Sequence, residues 1–321
     1  MSLKPKELAK SPEELLSGGH RLCPGCGEGT ATRLLIKASK DPIIAVSATG
    51  CLEVSTSIYP YTSWKIPWIH CAFENAASTA TGIEAALKSF RRRGKLKEHI
   101  NVVALAGDGG TIDIGIQALS GGLERGHDFV YVLLDNEAYM NTGIQRSGGT
   151  SRYAWTTTSP AGKVLPGKVE WKKPIARIAV EHEIPYVATA SPAYWRDLMQ
   201  KAQRAYDAEG PAFLHFFTSC QRGWRHDPAI SVKVARVAVE TCFFPLWDSV
   251  FENGEPVFRL STPSKLIVRK PERKKPVEEF LKLQGRFRHL FRPERRNDII
   301  NEIQTHVDQN WDLLLKRCGE K

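Results

Sequence analysis

The segment Cys23–Pro24–Gly25–Cys26–Gly27 places two thiols three positions apart across a turn. Thiols at this spacing serve as a disulfide redox couple, as half of a zinc site or as half of an iron–sulfur site. A zinc ribbon would bring a second such pair at short range, and none follows. The other five cysteines are isolated. Cys51 follows Gly50 at the end of the apolar run "IIAVSATG", and Cys220 follows the apolar run "AFLHFFT". Both are therefore expected at strand ends, and Cys23, Cys26, Cys51 and Cys220 make a four-thiolate set. Cys71, before "AFEN" near a helix start, and Cys242, in the apolar stretch "TCFFPLW", read as core, and Cys318 reads as a bystander.

A second group of chemical residues lies in "GDGGT", residues 107–111, between an apolar run and a helical pattern. A helix N-terminus with bare N–H groups favours phosphate. Gly107, Gly109 and Gly110 let the main chain approach a ligand, and Asp108 supplies a hard carboxylate suited to Mg²⁺ on a diphosphate. The spacing is neither that of a dinucleotide fold nor that of a P-loop, which disfavours a nicotinamide-dependent dehydrogenase. Alone, the segment also reads as a tight turn. The next apolar run ends in "DNEAYMNTG", residues 135–143. Neighbouring strand ends lie about 5 Å apart, so Asn136 and the Ala138 carbonyl would complete a Mg²⁺ shell with Asp108. The paired pattern resembles the thiamine-diphosphate motif.

These residues need a scaffold that brings strand ends together. Strands are predicted at 43–47, over 101–111 running into the glycine turn, over 129–139 ending in polar residues, at 186–190 and at 212–218, and helices at 75–93, 112–126, 174–183 and 192–208. The alternation predicts an α/β fold with a mostly parallel sheet and helices on both faces. Residues 144–170 are rich in Gly, Ser and Thr and too long for an idle connection. Beyond 225 the rhythm stops, with a hairpin expected within 250–268 and a terminal helix over 294–317. Two segments follow: 1–225, which would carry the ligand chemistry, and a C-terminal extension, 226–321.

At 321 residues, 42% hydrophobic and 25% charged, the chain can bury a substantial core. The opening "MSLKPKELAKSPEELL" has no apolar core of a secretory signal, and no apolar run is long enough to span a bilayer. These features predict a cytoplasmic protein without membrane contact. Residues 264–296 hold twelve Lys or Arg against four Glu, which is most of the net charge of +10. The stretch reads either as a solvated helical face or as a docking surface for an acidic protein. It contains no nucleic-acid-binding module.

Six segments, "CPGCGEG", "SATGCLEV", "YPYTSWKIPWIHCAFENAASTATGIEAALK", "GDGGTIDIGIQALSGGLERG", "LDNEAYMNTGIQRSGGT" and "TSCQRGWR", together resemble the β subunits of 2-oxoacid:ferredoxin oxidoreductases, and within them the pyruvate-oxidising branch. The resemblance spans about residues 15–225. It implies the diphosphate-binding half of a thiamine-diphosphate fold and one [4Fe–4S] cluster on Cys23, Cys26, Cys51 and Cys220. It implies Mg²⁺ on Asp108, Asn136 and the Ala138 carbonyl. Asn141 matches an asparagine beside the thiazolium and substrate. Glu28, Gly50, Cys51, Phe73 and Gly109 fall on cofactor-lining segments.

The implied reaction is CoA-dependent oxidative decarboxylation of a 2-oxo acid, pyruvate first among them, with single electrons passed to ferredoxin. The chain has one α/β unit of the required kind and no further ferredoxin-type cysteine motif. The resemblance therefore implies an α subunit supplying the pyrimidine half and its activating Glu, with γ and ferredoxin-like δ subunits or fused equivalents. The alternatives are another 2-oxo acid (2-oxoglutarate, a branched or aryl oxoacid, oxalate) or a non-catalytic, zinc-stabilised α/β binding subunit.

Overall fold

The computed structural model describes residues 13–320 except Lys163, together with Lys4, Lys6 and Glu7. Most of the polar opening segment lies outside the described residues. Eight strands form one sheet in the order β2-β1-β3-β4-β6-β5-β7-β8. Strands β1 (Ile43–Ala48), β2 (Trp68–Cys71), β3 (Asn101–Gly107), β4 (Val130–Asp135), β5 (Tyr186–Ala190) and β6 (Ala212–Phe217) run parallel. Every residue of β4 and β6 is buried, which a parallel sheet covered on both faces requires. Side chains alternate between two cores. Val102, Ala104 and Ala106 face one, and Val103 and Leu105 face the other.

Helices α1 (Gly27–Lys37), α2 (Cys51–Thr56), α3 (Ala76–Arg92), α4 (Ile116–Glu124), α5 (Ile175–Val180), α6 (Trp195–Tyr206), α7 (Gln221–Trp224) and α8 (Ser231–Glu240) connect and cover the strands. Leu35 of α1 and Leu198 of α6 pack on one face, and Ala77 of α3 and Leu123 of α4 pack on the other. The turn after Asp108 differs from the expected α-helix. Gly109–Ile114 is wound as a π-helix, and α-geometry begins only at Ile116. Such wide turns recur at functional sites.

The extension is part of the same body. Strands β7 (Trp247–Glu252) and β8 (Glu255–Leu260) form the expected hairpin, and β7 joins β5 antiparallel. The rest of the expected hairpin segment is helix α9 (Thr262–Arg269), with Pro263 in its first turn, where a missing N–H costs nothing. Helix α10 (Val277–Lys282) and helix α11 (Asn297–Arg317) close the core. Ile300, Ile303, Val307, Trp311 and Leu314 recur at helical spacing and bury on it, at roughly 2 kcal/mol each.

The basic stretch is not uniformly a solvated face. Arg286 is only 2% exposed, and Lys274 and Lys275 pair with Asp308 and Glu240. Among the described residues no helix is long and apolar enough to cross a membrane.

Candidate functional site

Strands β1, β3, β4 and β6 are consecutive neighbours, and the C-terminal end of each delivers predicted residues to one edge. Gly50 and Cys51 follow β1, Asp108 follows β3, Asn136 to Asn141 follow β4, and Cys220 follows β6. This is the edge where open parallel sheets hold ligands. One cavity there is lined by Glu28, Gly50, Cys51, Phe73, Gly107, Asp108, Gly109, Asn136, Ala138 and Asn141. Gly110 lies just behind it, where a β-carbon would come 3.0 Å from the Phe73 carbonyl.

Asp108 is fully buried and accepts a hydrogen bond from the Ser147 hydroxyl. Burial and the neighbouring Asp135 push its carboxyl well above the usual range. A buried carboxylate held against its own charge is suited to a cation. Asn136 donates its amide to Glu28 Oε1 at 2.7 Å, and its Oδ1 accepts from the Ala138 N–H at 3.3 Å. Burial pushes Glu28 up to about 7, against the Asn136 hydrogen bond that lowers it. Gly107 faces open space, whereas a β-carbon at Gly109 would strike the Tyr139 ring at 2.2 Å. Tyr139 itself is tied down by its hydroxyl, which donates to Asp113 at 2.9 Å.

The CPGCG loop reaches the same edge. Gly25 has φ +77° and lies so close to the Pro228 carbonyl that only glycine fits. The Gly27 N–H donates to the Ser219 carbonyl at 3.0 Å, which seats the loop beside Cys220. Cys220 lies within electrostatic reach of Cys23, Cys26 and Cys51. Burial, then Glu28, pushes the Cys26 and Cys51 thiols up, and burial pushes Cys220 up to about 11. Asn141 stands beside Cys51 and opposes that rise. All four are free. Cys23 is exposed and the other three are half-buried; thiols raised as Cys26, Cys51 and Cys220 are ionise readily only beside compensating positive charge, which metal supplies. Among the described residues no three His, Cys, Asp or Glu converge as they would around one ion. Cys71 and Cys242 are buried in the core, as expected.

Several residues of the site had no signal of their own in the sequence. Ser147 sits in the 144–170 loop, whose early part, 147–151, is buried, with Ser147 bonded to Asp108. Lys172 pairs with Asp135 and Glu137, and Arg286 pairs with Glu137. Burial would raise the Asp135 carboxyl, but Lys172 and His215 hold it down to about 2.

Comparison with known proteins assigns the family. The family model "Thiamine pyrophosphate enzyme, C-terminal TPP binding domain" matches residues 48–216. The pyruvate synthase subunit PorB of Methanocaldococcus jannaschii is 50% identical over 304 residues, 94% of this chain and 97% of that one. PorB of Thermotoga maritima is 47% identical, over 98% of this chain and 96% of its own. The chain belongs to the PorB family of pyruvate synthase subunits. The ketoisovalerate oxidoreductase subunit VorB of Pyrococcus furiosus is 42% identical over 95% of this chain and 93% of its own, so the PorB family has relatives named for another 2-oxo acid. A solved 2-oxoglutarate:ferredoxin oxidoreductase from Magnetococcus marinus superposes with TM-score 0.52 at 20% identity, over 88% of this chain and 96% of that one, a likeness of fold.

Proposed function

We propose that this chain is the β subunit of a pyruvate:ferredoxin oxidoreductase. With its partner subunits it catalyses the reversible, CoA-dependent conversion of pyruvate to acetyl-CoA and CO₂, with electrons leaving singly to ferredoxin. The observation that carries the reading is the cavity at the ends of β1, β3 and β4, whose lining includes ten of the residues expected at the cofactor. The PorB relatives, at up to 50% identity against 42% for VorB, support pyruvate over a branched oxoacid.

In this reading Asp108, Asn136 and the Ala138 carbonyl hold Mg²⁺ on the diphosphate. Gly107, Gly109 and Gly110 give the diphosphate its close approach to the main chain. Glu28, Gly50, Cys51 and Phe73 line the cofactor, and Asn141 orients the reacting end of the substrate. Cys23, Cys26, Cys51 and Cys220 hold one [4Fe–4S] cluster; the electrostatic reach of Cys220 to each of the other three thiols supports this set. When bound, thiamine diphosphate supplies an electron sink for loss of CO₂ and the cluster a one-electron acceptor. The chain's own contribution is placement, because Glu28 bonds the Asn136 amide and stands within reach of three of the thiols.

Residues 1–225 are the cofactor-bearing part in this account, and 226–321 pack on it and present an exposed basic face to partners. Those partners are an α subunit with the activating Glu, γ and δ subunits or fused equivalents, and ferredoxin, in the cytoplasm. The test is anaerobic purification with the partner subunits, followed by a panel of 2-oxo acids with CoA and a viologen acceptor. Fastest reduction with pyruvate, and none from the isolated chain, is expected. Robust activity of the isolated chain, or preference for another oxoacid, contradicts the reading.

A further inference from the structure

Glu137 stands between Asn136 and Ala138, the two residues assigned to the cation on the β4 end. Both neighbours line the cavity, and Glu137 does not. Its φ is +67°, a conformation that residues with a β-carbon rarely take. That turn of the chain directs the flanking residues to the cavity while the Glu137 side chain is buried elsewhere. Positive φ persists in such a residue only when its surroundings over-determine it.

The surroundings of Glu137 do so. Its carbonyl accepts from the Thr150 hydroxyl at 2.7 Å. Its Oε1 accepts from the Ser151 hydroxyl at 2.7 Å and from Lys172 Nζ at 3.0 Å, and its Oε2 accepts from the Arg286 guanidinium. The other side of the loop is held as well. Trp224 Nε1 donates to the Asn136 carbonyl at 2.7 Å, and the Arg286 guanidinium lies 4.3 Å from the centre of the same indole. Arg286 is itself fixed, since its Nε donates to Gln284 at 2.9 Å and its carbonyl accepts from the Trp155 N–H at 2.9 Å. One arginine from the C-terminal extension thus bears on Glu137 directly and on Asn136 through Trp224.

We infer that Glu137, Lys172 and Arg286 are positioning residues for the divalent-cation loop, so that the C-terminal extension sets how tightly the chain binds Mg²⁺ with thiamine diphosphate. The inference rests on the reading of Asp108, Asn136 and Ala138 as the cation site. Groups that orient metal ligands typically change metal affinity by about 10- to 100-fold when altered.

The test uses the anaerobically purified complex, stripped of cation and cofactor by chelation and dialysis. Mg²⁺ is titrated at fixed thiamine diphosphate, with binding read by intrinsic fluorescence and turnover read separately. Arg286→Lys keeps the charge but loses the fork and the stacked plane. Glu137→Gln keeps the shape and serves if Arg286→Lys fails to assemble. Each is expected to raise half-saturating Mg²⁺ about tenfold or more, with kcat at saturating Mg²⁺ within about twofold of the parent. A merely structural role would instead lower kcat and leave half-saturation unchanged, and that result overturns the inference. Asp108→Asn separates the two readings. If it abolishes Mg²⁺-dependent binding while Arg286→Lys and Glu137→Gln bind as the parent does, the positioning role is wrong and the cation site stands. If Asp108→Asn also binds as the parent does, the cation-site reading itself fails.

Discussion

The Asn136 amide donates to the Glu28 carboxylate at 2.7 Å, joining residues 108 positions apart in the chain. One belongs to the helix that follows the CPGCG loop, the other to the loop assigned to the cation. A single hydrogen bond therefore couples the thiol group to the proposed diphosphate site, and it is buried at both ends.

The bond has a pH signature. Glu28 is pushed from 4.5 up to about 7, so the folded chain holds a proton there that the unfolded chain has released. Stability from this group is present at low pH and is lost as pH rises from about 4.5 to about 7. The shift corresponds to about 3 kcal/mol. Glu28→Gln should remove that part of the slope. Melting of the cofactor-free chain at pH 5 and pH 8, parent against variant, measures it; identical slopes contradict the assignment.

Asp108 is held in a costly state, buried and beside Asp135. Asp108→Asn should therefore stabilise the cofactor-free protein by about 1 kcal/mol, a trade commonly found at functional sites. The same change should weaken Mg²⁺-dependent thiamine diphosphate binding by more than about 100-fold, beyond the loss expected for a residue that only orients a ligand. Calorimetric titration and thermal melting read the two effects. A variant that is less stable and still binds would remove Asp108 from the site.

The thiols divide cleanly. Cys26→Ala, Cys51→Ala and Cys220→Ala should each lose the cluster's electron paramagnetic signal, whereas Cys242→Ala, buried in the core, should keep it. Metal analysis of the parent should return about four Fe and four sulfide per chain. One Zn per chain would favour the zinc-stabilised binding subunit instead.

The exposed part of the basic stretch is narrower than its composition suggests. Arg273 and Arg288 are exposed, whereas Arg286 is buried against Glu137. Arg273→Glu with Arg288→Glu should flatten the salt dependence of ferredoxin reduction and leave viologen reduction unchanged. An unaltered salt dependence argues against ferredoxin docking on this face.

Much of this was legible in the sequence because the signals were local. "YVATA" is a β-rich apolar run with Pro185 before it and the capping Ser191 after it, and it is strand β5 over the residues expected. The cysteines and "GDGG" stand out because thiols are few and glycine turns after apolar runs are specific. What was hidden depends on distance. Arg286 sits in a run of cations that looks solvated, and its partner Glu137 is 149 residues away. The π-wound turn at Gly109–Ile114 has no periodicity to announce it, since its shape depends on tertiary packing such as the Tyr139 ring against Gly109. Residues 144–170 read as a functional loop by length and composition, but which groups they serve was not legible: their hydroxyls and N–H groups at 147–151 bond Asp108, Asp113 and Glu137 inside the protein.

The most direct test of the account is anomalous diffraction at the iron edge from crystals of the anaerobically purified complex grown with Mg²⁺ and thiamine diphosphate. An iron peak enclosed by Cys23, Cys26, Cys51 and Cys220, with diphosphate density over Asp108 and Asn136 on the same sheet edge, is the predicted result. A zinc peak in its place, or diphosphate density away from Asp108, would contradict it.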